Sequence, residues 1–241
     1  MPLPSVSAFL RLGEKYDIQQ LFIEAKARLC CAFESTLNVA ARISSSHNGK
    51  LRLFPKVTDT DPHNFRIMNL LQVMNLQVSL PLTMYQCAVT CPLTYVVDGY
   101  EFEGATYTLT HQNLRAFILV KNILETFRTR LAQSLSVSDS CVVQSSCAPR
   151  IHRLWTDDAT IGQPFGPWRP EWDKLLCDAC RSDLSARRSW AIQKAWNQIP
   201  TAFGFSSWTE VSKSGDSPYD GDQPKNNQPK NAPIGFDPDF F

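Results

Sequence analysis

No stretch of this chain approaches the roughly 20 consecutive apolar residues that a membrane-crossing helix requires. Neither charge sign is in excess: 24 Lys and Arg stand against 23 Asp and Glu in 241 residues. The first absence excludes a helical anchor. The second excludes the broad basic surface on which nucleic acid or anionic lipid is held. The opening Met1-Pro2-Leu3-Pro4-Ser5 lacks the basic-then-apolar order of a secretory signal, so a cytoplasmic or nuclear location is expected. Catalytic signatures are missing too. There is no Gly-x-Ser-x-Gly elbow, no glycine-rich loop running into Lys-Ser/Thr, and no His-Glu-x-x-His among His47, His63, His111 and His152. Asp157-Asp158 and Asp173 are loop acids with nothing to fix a substrate between them. The expectation is a chain that is not an enzyme and takes no small-molecule substrate.

What is present is apolar material, 43% of residues, enough for a packed core. Most of it recurs at helical spacing. Residues 5–12 read as a serine-capped helix with Val6, Phe9, Leu10 and Tyr16 facing inward. Asp17 with Gln20 three residues on makes a capping-box pattern. Ile18, Leu21, Phe22, Ala25 and Leu29 then follow at steps of three and four, completing a helical hairpin. Over residues 34–61 the periodicity fades, and 44–49 read as a loop. Asp61-Pro62 predicts a helix start with Phe65, Met68, Leu71 and Met74 as its buried stripe. Residues 80–91 predict another helix, and the Tyr-, Val- and Phe-rich stretch 95–108, with Gly99 and Gly104, predicts a short hairpin.

The clearest periodicity follows Thr110. Leu114, Phe117, Ile118, Leu124, Phe127 and Leu131 trace one face, Arg115, Lys121, Glu125 and Arg128 the other, with no Gly or Pro before Leu135. Residues 136–170 read as irregular. Residues 171–196 read as helical with a break near Ser185, burying Trp172, Leu175, Leu176, Ala179, Trp190 and Trp196. Pro200 ends that helix, and Phe203-Gly204-Phe205 with Trp208 folds back. From 212 onward Gly, Pro, Asn, Asp, Lys and Gln dominate, and Gln-Pro-Lys-Asn occurs at 223 and again at 228. Such a composition cannot offset its ordering entropy, so 212–241 is predicted to be a disordered tail. It carries the acidic-aromatic run Phe236-Asp237-Pro238-Asp239-Phe240-Phe241, which reads as a chance run of exposed aromatics rather than as a short docking motif.

Cysteine supplies the sharpest chemical feature. The eight are Cys30, Cys31, Cys87, Cys91, Cys141, Cys147, Cys177 and Cys180, and an unsecreted chain of this length argues against a disulfide framework. Cys177-x-x-Cys180 places two thiolates where they can close on one tetrahedral ion. Cys141 and Cys147 can complete a four-thiolate zinc shell. The gap between Cys141 and Cys147 is wider than in a usual zinc knuckle, and His152 is an alternative ligand. The competing reading makes all four small buried hydrophobes. A thioredoxin-like redox reading lacks its βαβ context. The six tryptophans all lie in the second half, as core or as an aromatic groove.

Several motifs point to a family. The run Ala8-Phe9-Leu10-Arg11-Leu12-Gly13-Glu14-Lys15-Tyr16-Asp17-Ile18, leading into Leu21, Glu24, Ala25 and Leu29, resembles the last helices of the BTB/POZ domain in a large group of mushroom-type fungal proteins. Leu80-Pro81-Leu82 with Tyr85 and Cys87 resembles that group's downstream Leu-Pro helix, and Leu109 to Leu114 the cap of its next long helix. Cys141 and Cys147, then Leu176-Cys177-Asp178-Ala179-Cys180, resemble its cysteine pairs. Trp196-Asn197-Gln198-Ile199-Pro200, Phe203-Gly204-Phe205 and Trp208 resemble its closing motif, so the likeness covers about residues 5–211. In the family a BTB core precedes the Lys-Tyr hairpin and supplies the dimerisation and cullin-binding surfaces. This chain starts within the final helices, so most of that core is expected to be absent.

The expected fold is mostly α, with about six helices. A hairpin remnant of a BTB domain (1–35) packs on a BACK-like helical region (60–211), followed by the tail (212–241). The expected function is a non-enzymatic protein–protein interaction module, an adaptor fragment whose partner is another protein rather than nucleic acid or a membrane. The alternative is a zinc-stabilised helical regulatory domain using Cys141, Cys147, Cys177 and Cys180. No other cofactor is expected.

Overall fold

Apolar residues at helical spacing dominate the chain, and the computed structural model is correspondingly helical. It describes residues 1–30, 36–45, 57–58, 60–156 and 164–215. In chain order these form α1 (Leu3–Lys15), α2 (Gln19–Cys30), α3 (Leu37–Ser45), α4 (Phe65–Val73), α5 (Leu80–Thr90) and α6 (Leu93–Asp98). A hairpin of β1 (Tyr100–Phe102) and β2 (Ala105–Tyr107) follows. Then come α7 (His111–Ser134), α8 (Gln144–Thr156), α9 (Pro170–Asp173), α10 (Asp178–Gln198), a 3-10 turn (Ile199–Phe203) and α11 (Trp208–Gly215). The architecture is mostly α, with 11 helices among the described residues where about six were expected. None is long and apolar enough to cross a membrane.

The molecule is organised around α7, which packs against α4, α5, α10 and the 3-10 turn. Thr110 caps it, the hydroxyl oxygen accepting from the Asn113 amide at 3.3 Å. Phe117, Val120, Leu124, Phe127 and Leu131 point inward. Ile118, expected on the same stripe, is 54% exposed because one residue's step turns it about 100° away from Phe117. Alongside runs α5, buried on every side from Leu80 to Ala88, with its polar Thr83 hydroxyl satisfied by the Ser79 carbonyl at 2.7 Å. Tyr85 at its middle stacks on Phe165 (4.9 Å, 7°) and shares a hydrogen bond with Ser44. One continuous hydrophobic cluster runs from Leu3, Val6 and Leu10 of α1 to Trp196 and Ile199, so the first hairpin and the helices after residue 60 share a core.

Several local expectations fail for identifiable reasons. α1 starts at Leu3 behind Pro2, not behind a serine, and is tied down by backbone bonds between Leu3 and Thr58 (2.9 Å) and between Thr58 and Met1 (2.8 Å). Tyr16 and Ile18, expected inside, are 59% and 47% exposed, because the chain turns between the helices there. Asp17 sits in the left-handed region (φ 52) and accepts from the Gln19 side chain instead of capping α2. Gly13 is needed at the helix crossing: a Cβ there would lie 2.8 Å from Phe22. α4 begins at Phe65 rather than Pro62, yet Asp61 still caps it, accepting from the Phe65 and Arg66 amides (2.6 and 3.0 Å). Asp61 also receives the Tyr100 hydroxyl at 2.6 Å, pinning the hairpin. That hairpin turns through Glu103 and Gly104, both left-handed, as a two-residue turn matched to strand twist requires.

Three helices lie where none was expected: α3 within 34–61, α6 over Leu93–Asp98, so that the hairpin expected from 95 starts only at Tyr100, and α8 within 136–170, the last with Pro149 inside it. Conversely, α10 runs unbroken through Ser185. The interruption falls instead at residues 174–177, before Cys177 opens the helix as its N-cap. Trp190, expected in the core, is 67% exposed. Trp208 folds back as expected, stacking on Trp196 (4.2 Å) and donating its indole N–H to the Trp196 carbonyl at 2.9 Å. α11 carries helix past the predicted tail boundary to Gly215, and the rest of the expected tail, 216–241, lies outside the described residues, as do Cys31 and 46–49 of the expected loop.

Candidate metal centre

The four cysteines singled out by spacing converge. Among the described residues, the sulfurs of Cys141, Cys147, Cys177 and Cys180 all lie within 4.8 Å of one another. Cys141 lies in the link between α7 and α8, Cys147 in the first turns of α8, Cys177 at the N-cap of α10, and Cys180 in that helix's first turn. The wide gap between the first pair is absorbed by α8. The Cys147 amide bonds the Val143 carbonyl at 3.0 Å, which turns its side chain back toward Cys141. The interruption between α9 and α10 does the corresponding work for the second pair.

A tetrahedral Zn²⁺ with Zn–S bonds of about 2.3 Å sets its sulfurs about 3.8 Å apart. Cys177 and Cys141 Sγ are 3.7 Å apart. The cluster is enclosed: Cys180 and Cys147 are almost fully buried, Cys141 is buried, and Cys177 is half-buried. Backbone amides face three of the sulfurs. Ser138 N–H points at Cys180 Sγ (3.4 Å), Val143 N–H at Cys141 and Cys180 N–H at Cys177. Such donors stabilise thiolates. The Cys177 thiol is accordingly lowered to about 7, chiefly by the Cys180 amide, while burial pushes Cys180 up to about 12 and Cys141 upward. One thiol ionises readily beside others that resist ionisation until a cation neutralises them.

His152, the alternative ligand, is exposed and outside this set. Around the sulfurs lies a small apolar cluster of Ile151, Leu176 and Leu184, with Leu135, Val137, Leu154 and Trp168 against it. Arg150 donates to the Leu175 carbonyl (2.9 Å), joining α8 to the segment before Cys177, and Arg187 donates to Ser134 O (2.8 Å), joining α10 to the end of α7.

Sequence reasoning passed over two other features. Cys87 and Cys91, one turn apart on α5 and at its end, interact with each other. The Cys91 thiol is lowered to about 6, chiefly by Cys87 and secondarily by His63, while burial raises Cys87. The second is Arg188, only 8% exposed. Its signal was available: it falls four residues after Leu184 and four before Ile192, a charge on the buried phase of α10. No protein-family model, curated protein or solved structure matches the chain.

Proposed function

We propose that Cys141, Cys147, Cys177 and Cys180 hold a structural Zn²⁺, and that the protein is a zinc-stabilised helical module rather than an enzyme. The observation that carries this reading is the mutual approach of four sulfurs, drawn from two separate chain segments, to the separations of a four-thiolate shell. Four protein ligands leave no open coordination position for a substrate or an activated water, as a structural rather than a catalytic site requires. Metal analysis of the purified full chain tests it. About one zinc per chain, together with ligand-field bands of a tetrahedral thiolate site after Co²⁺ substitution, is the expected result. A metal-free protein whose thermal stability is unchanged by Cys177→Ser with Cys180→Ser sinks the proposal. Iron in place of zinc would redirect it toward electron transfer.

A second reading concerns what the module is for. The first hairpin leaves Leu12, Tyr16, Ile18 and Ile23 between 43% and 59% exposed, on the segment that carries the BTB/POZ likeness. This supports protein–protein recognition through α1 and α2. Affinity capture from host extract with the native chain and with a Tyr16→Asp/Ile23→Asp chain discriminates. A partner retained by the first and lost by the second is expected, and the absence of any specific partner removes the reading.

A further inference from the structure

At the end of α5 the fold gathers a second set of sulfur and imidazole groups, separate from the four-cysteine cluster. Cys87 and Cys91 stand one helical turn apart. The Cys91 amide donates to the Cys87 carbonyl at 2.8 Å, and the two side chains share a hydrogen bond. The Cys91 sulfur also meets the His63 side chain and lies 3.5 Å from the Pro92 carbonyl. His63 is held among rings, with centroids at 5.0 Å for Tyr100, 5.5 Å for Tyr95 and 6.2 Å for Phe65. Its Nδ1 is buried without a hydrogen-bond partner. From α7 the Lys121 ammonium reaches the Ala88 carbonyl at 2.9 Å and adds positive potential at both sulfurs. The nearby carboxylate, Asp61, is taken up by the Tyr100 hydroxyl and two amides of α4. Packing alone explains two small buried thiols. It does not explain an imidazole and an ammonium brought beside them.

These surroundings divide the labour between the sulfurs. The Cys91 thiol is lowered to about 6, chiefly by its bond to Cys87 and then, against opposing burial, by His63. Burial raises Cys87. Cys91 is therefore the thiolate at neutral pH, and Cys87 the protonated neighbour that donates to it. A thiolate beside a basic group and a second thiol is the arrangement in which sulfur attacks a peroxide and a disulfide follows. Access suits a small oxidant. Cys91 is 4% exposed, but Pro92, Leu93, Thr94 and Tyr95 after it are all exposed, so the sulfur lies at the rim of the core. Closure needs little movement. Cβ atoms four residues apart on a helix are about 5–6 Å apart, and a disulfide asks for about 3.5–4.5 Å. Cys91 is the C-cap of α5, with ψ at 128°, so it has already left the helical path and can take up the difference.

We propose that Cys91, Cys87 and His63 form a hydroperoxide-reactive dithiol site, with Cys91 as the attacking sulfur, Cys87 as the resolving one and His63 as the positioning residue. In the first step the Cys91 thiolate attacks one peroxide oxygen. An S–O bond forms, the O–O bond breaks, and the departing hydroxide takes a proton from solvent and leaves as water. Cys91 is then a sulfenic acid. The Cys87 sulfur attacks it, forming the S–S bond and breaking S–O, and a second water leaves with the Cys87 proton. The two sulfurs lose two electrons and the peroxide gains them. The test exposes the native full chain to excess hydrogen peroxide, alkylates it in denaturant and maps the cysteines. Trypsin leaves Cys87 and Cys91 together on residues 67–115 and puts Cys141, Cys147, Cys177 and Cys180 on other peptides, so the two sites are read separately. The 67–115 peptide should escape alkylation at both sulfurs, be lighter by two hydrogens, and regain both labels after dithiothreitol. In Cys87→Ala the reaction should stop at a Cys91 sulfenic acid that dimedone captures. In Cys91→Ala the Cys87 thiol should stay reduced. His63→Gln should slow the loss of the Cys91 thiol about tenfold at pH 7, and the deficit should vanish near pH 9, where an ordinary thiol ionises unaided. A packing fault alone would persist at both. Full alkylation of Cys87 and Cys91 after the peroxide, a disulfide from either to another cysteine, or a His63→Gln rate equal to the native one at pH 7 would each overturn the proposal. The native-chain result needs no variant, so it decides the matter even where a substitution unfolds the protein.

Discussion

The two hydrophobic clusters of this molecule are built on different physical terms. The larger joins α1 through α7 to the end of α10 and buries Phe65, Tyr85, Phe117 and Phe165 completely. The smaller has Ile151, Leu176 and Leu184, and the rest of its buried set is cysteine. Three aliphatic side chains at about 1.5–3 kcal/mol each cannot offset the backbone entropy of ordering α8 and the links around it. The large cluster is self-sufficient in this respect. The small one has too little apolar surface of its own, and the proposed Zn²⁺ on its four converging sulfurs would supply the missing staple.

If the proposed zinc is bound, the largest effect should come from taking it away. Chelation, or Cys177→Ser with Cys180→Ser, removes apparent binding free energy on the order of 10 kcal/mol. The loss should be local. Amide hydrogen exchange should accelerate by orders of magnitude in α8 and the first turns of α10, while α5 and α7 keep their protection. Unchanged protection of α8 after chelation would erase the contrast between the clusters.

The converse perturbation is Phe117→Ala, which opens a cavity in the fully buried centre of the large cluster. It should cost about 3–5 kcal/mol in urea unfolding, and it should bring the small cluster down with it, since α7 underlies both. The folded fraction should still carry its full complement of zinc. Next in size is Asp61→Ala. That carboxylate holds two amides of α4 and the Tyr100 hydroxyl, so a loss of about 2–3 kcal/mol is expected, again without any change in metal content.

How much of this was legible in the sequence follows the same division. In the large cluster the stripes of α4 and α7 and the fold-back of Trp208 were readable, because dense burial enforces regular spacing. Its failures, Tyr16, Ile18 and Ile118, are residues at turns or one step off a stripe. The small cluster was legible as chemistry but not as structure. Cys177-x-x-Cys180 was readable as a candidate ligand pair, and the four sulfurs do converge, yet α8 stayed hidden behind Pro149 and its serines, whose local propensity argues against a helix. The break expected at Ser185 falls instead at 174–177, before Cys177 caps α10. Arg188 is missing from the expected core because only its phase on α10, not its residue type, places it inside.

The smallest effect separates the clusters by pH. Burial holds the Tyr85 phenol well above its ordinary value of about 10, and Tyr100 is shifted the same way by burial and by Asp61. Both lie in the large cluster, and residues 131–200 contain no tyrosine. A raised folded value means that the stabilisation is complete below pH 10 and is lost as pH climbs toward the folded value, because the unfolded chain releases the proton first. At pH 11 that amounts to about 1.4 kcal/mol for each such tyrosine. Buried Cys87 titrates in the same direction from lower pH, so the difference between chains is the useful quantity. Tyr85→Phe should cost about 1 kcal/mol at pH 7, where Ser44 loses its partner, and should recover it by pH 11, where the wild type carries the penalty and the variant does not. Parallel pH profiles for the two chains would show that the Tyr85 proton is not held by the core and would place the large cluster's stability elsewhere.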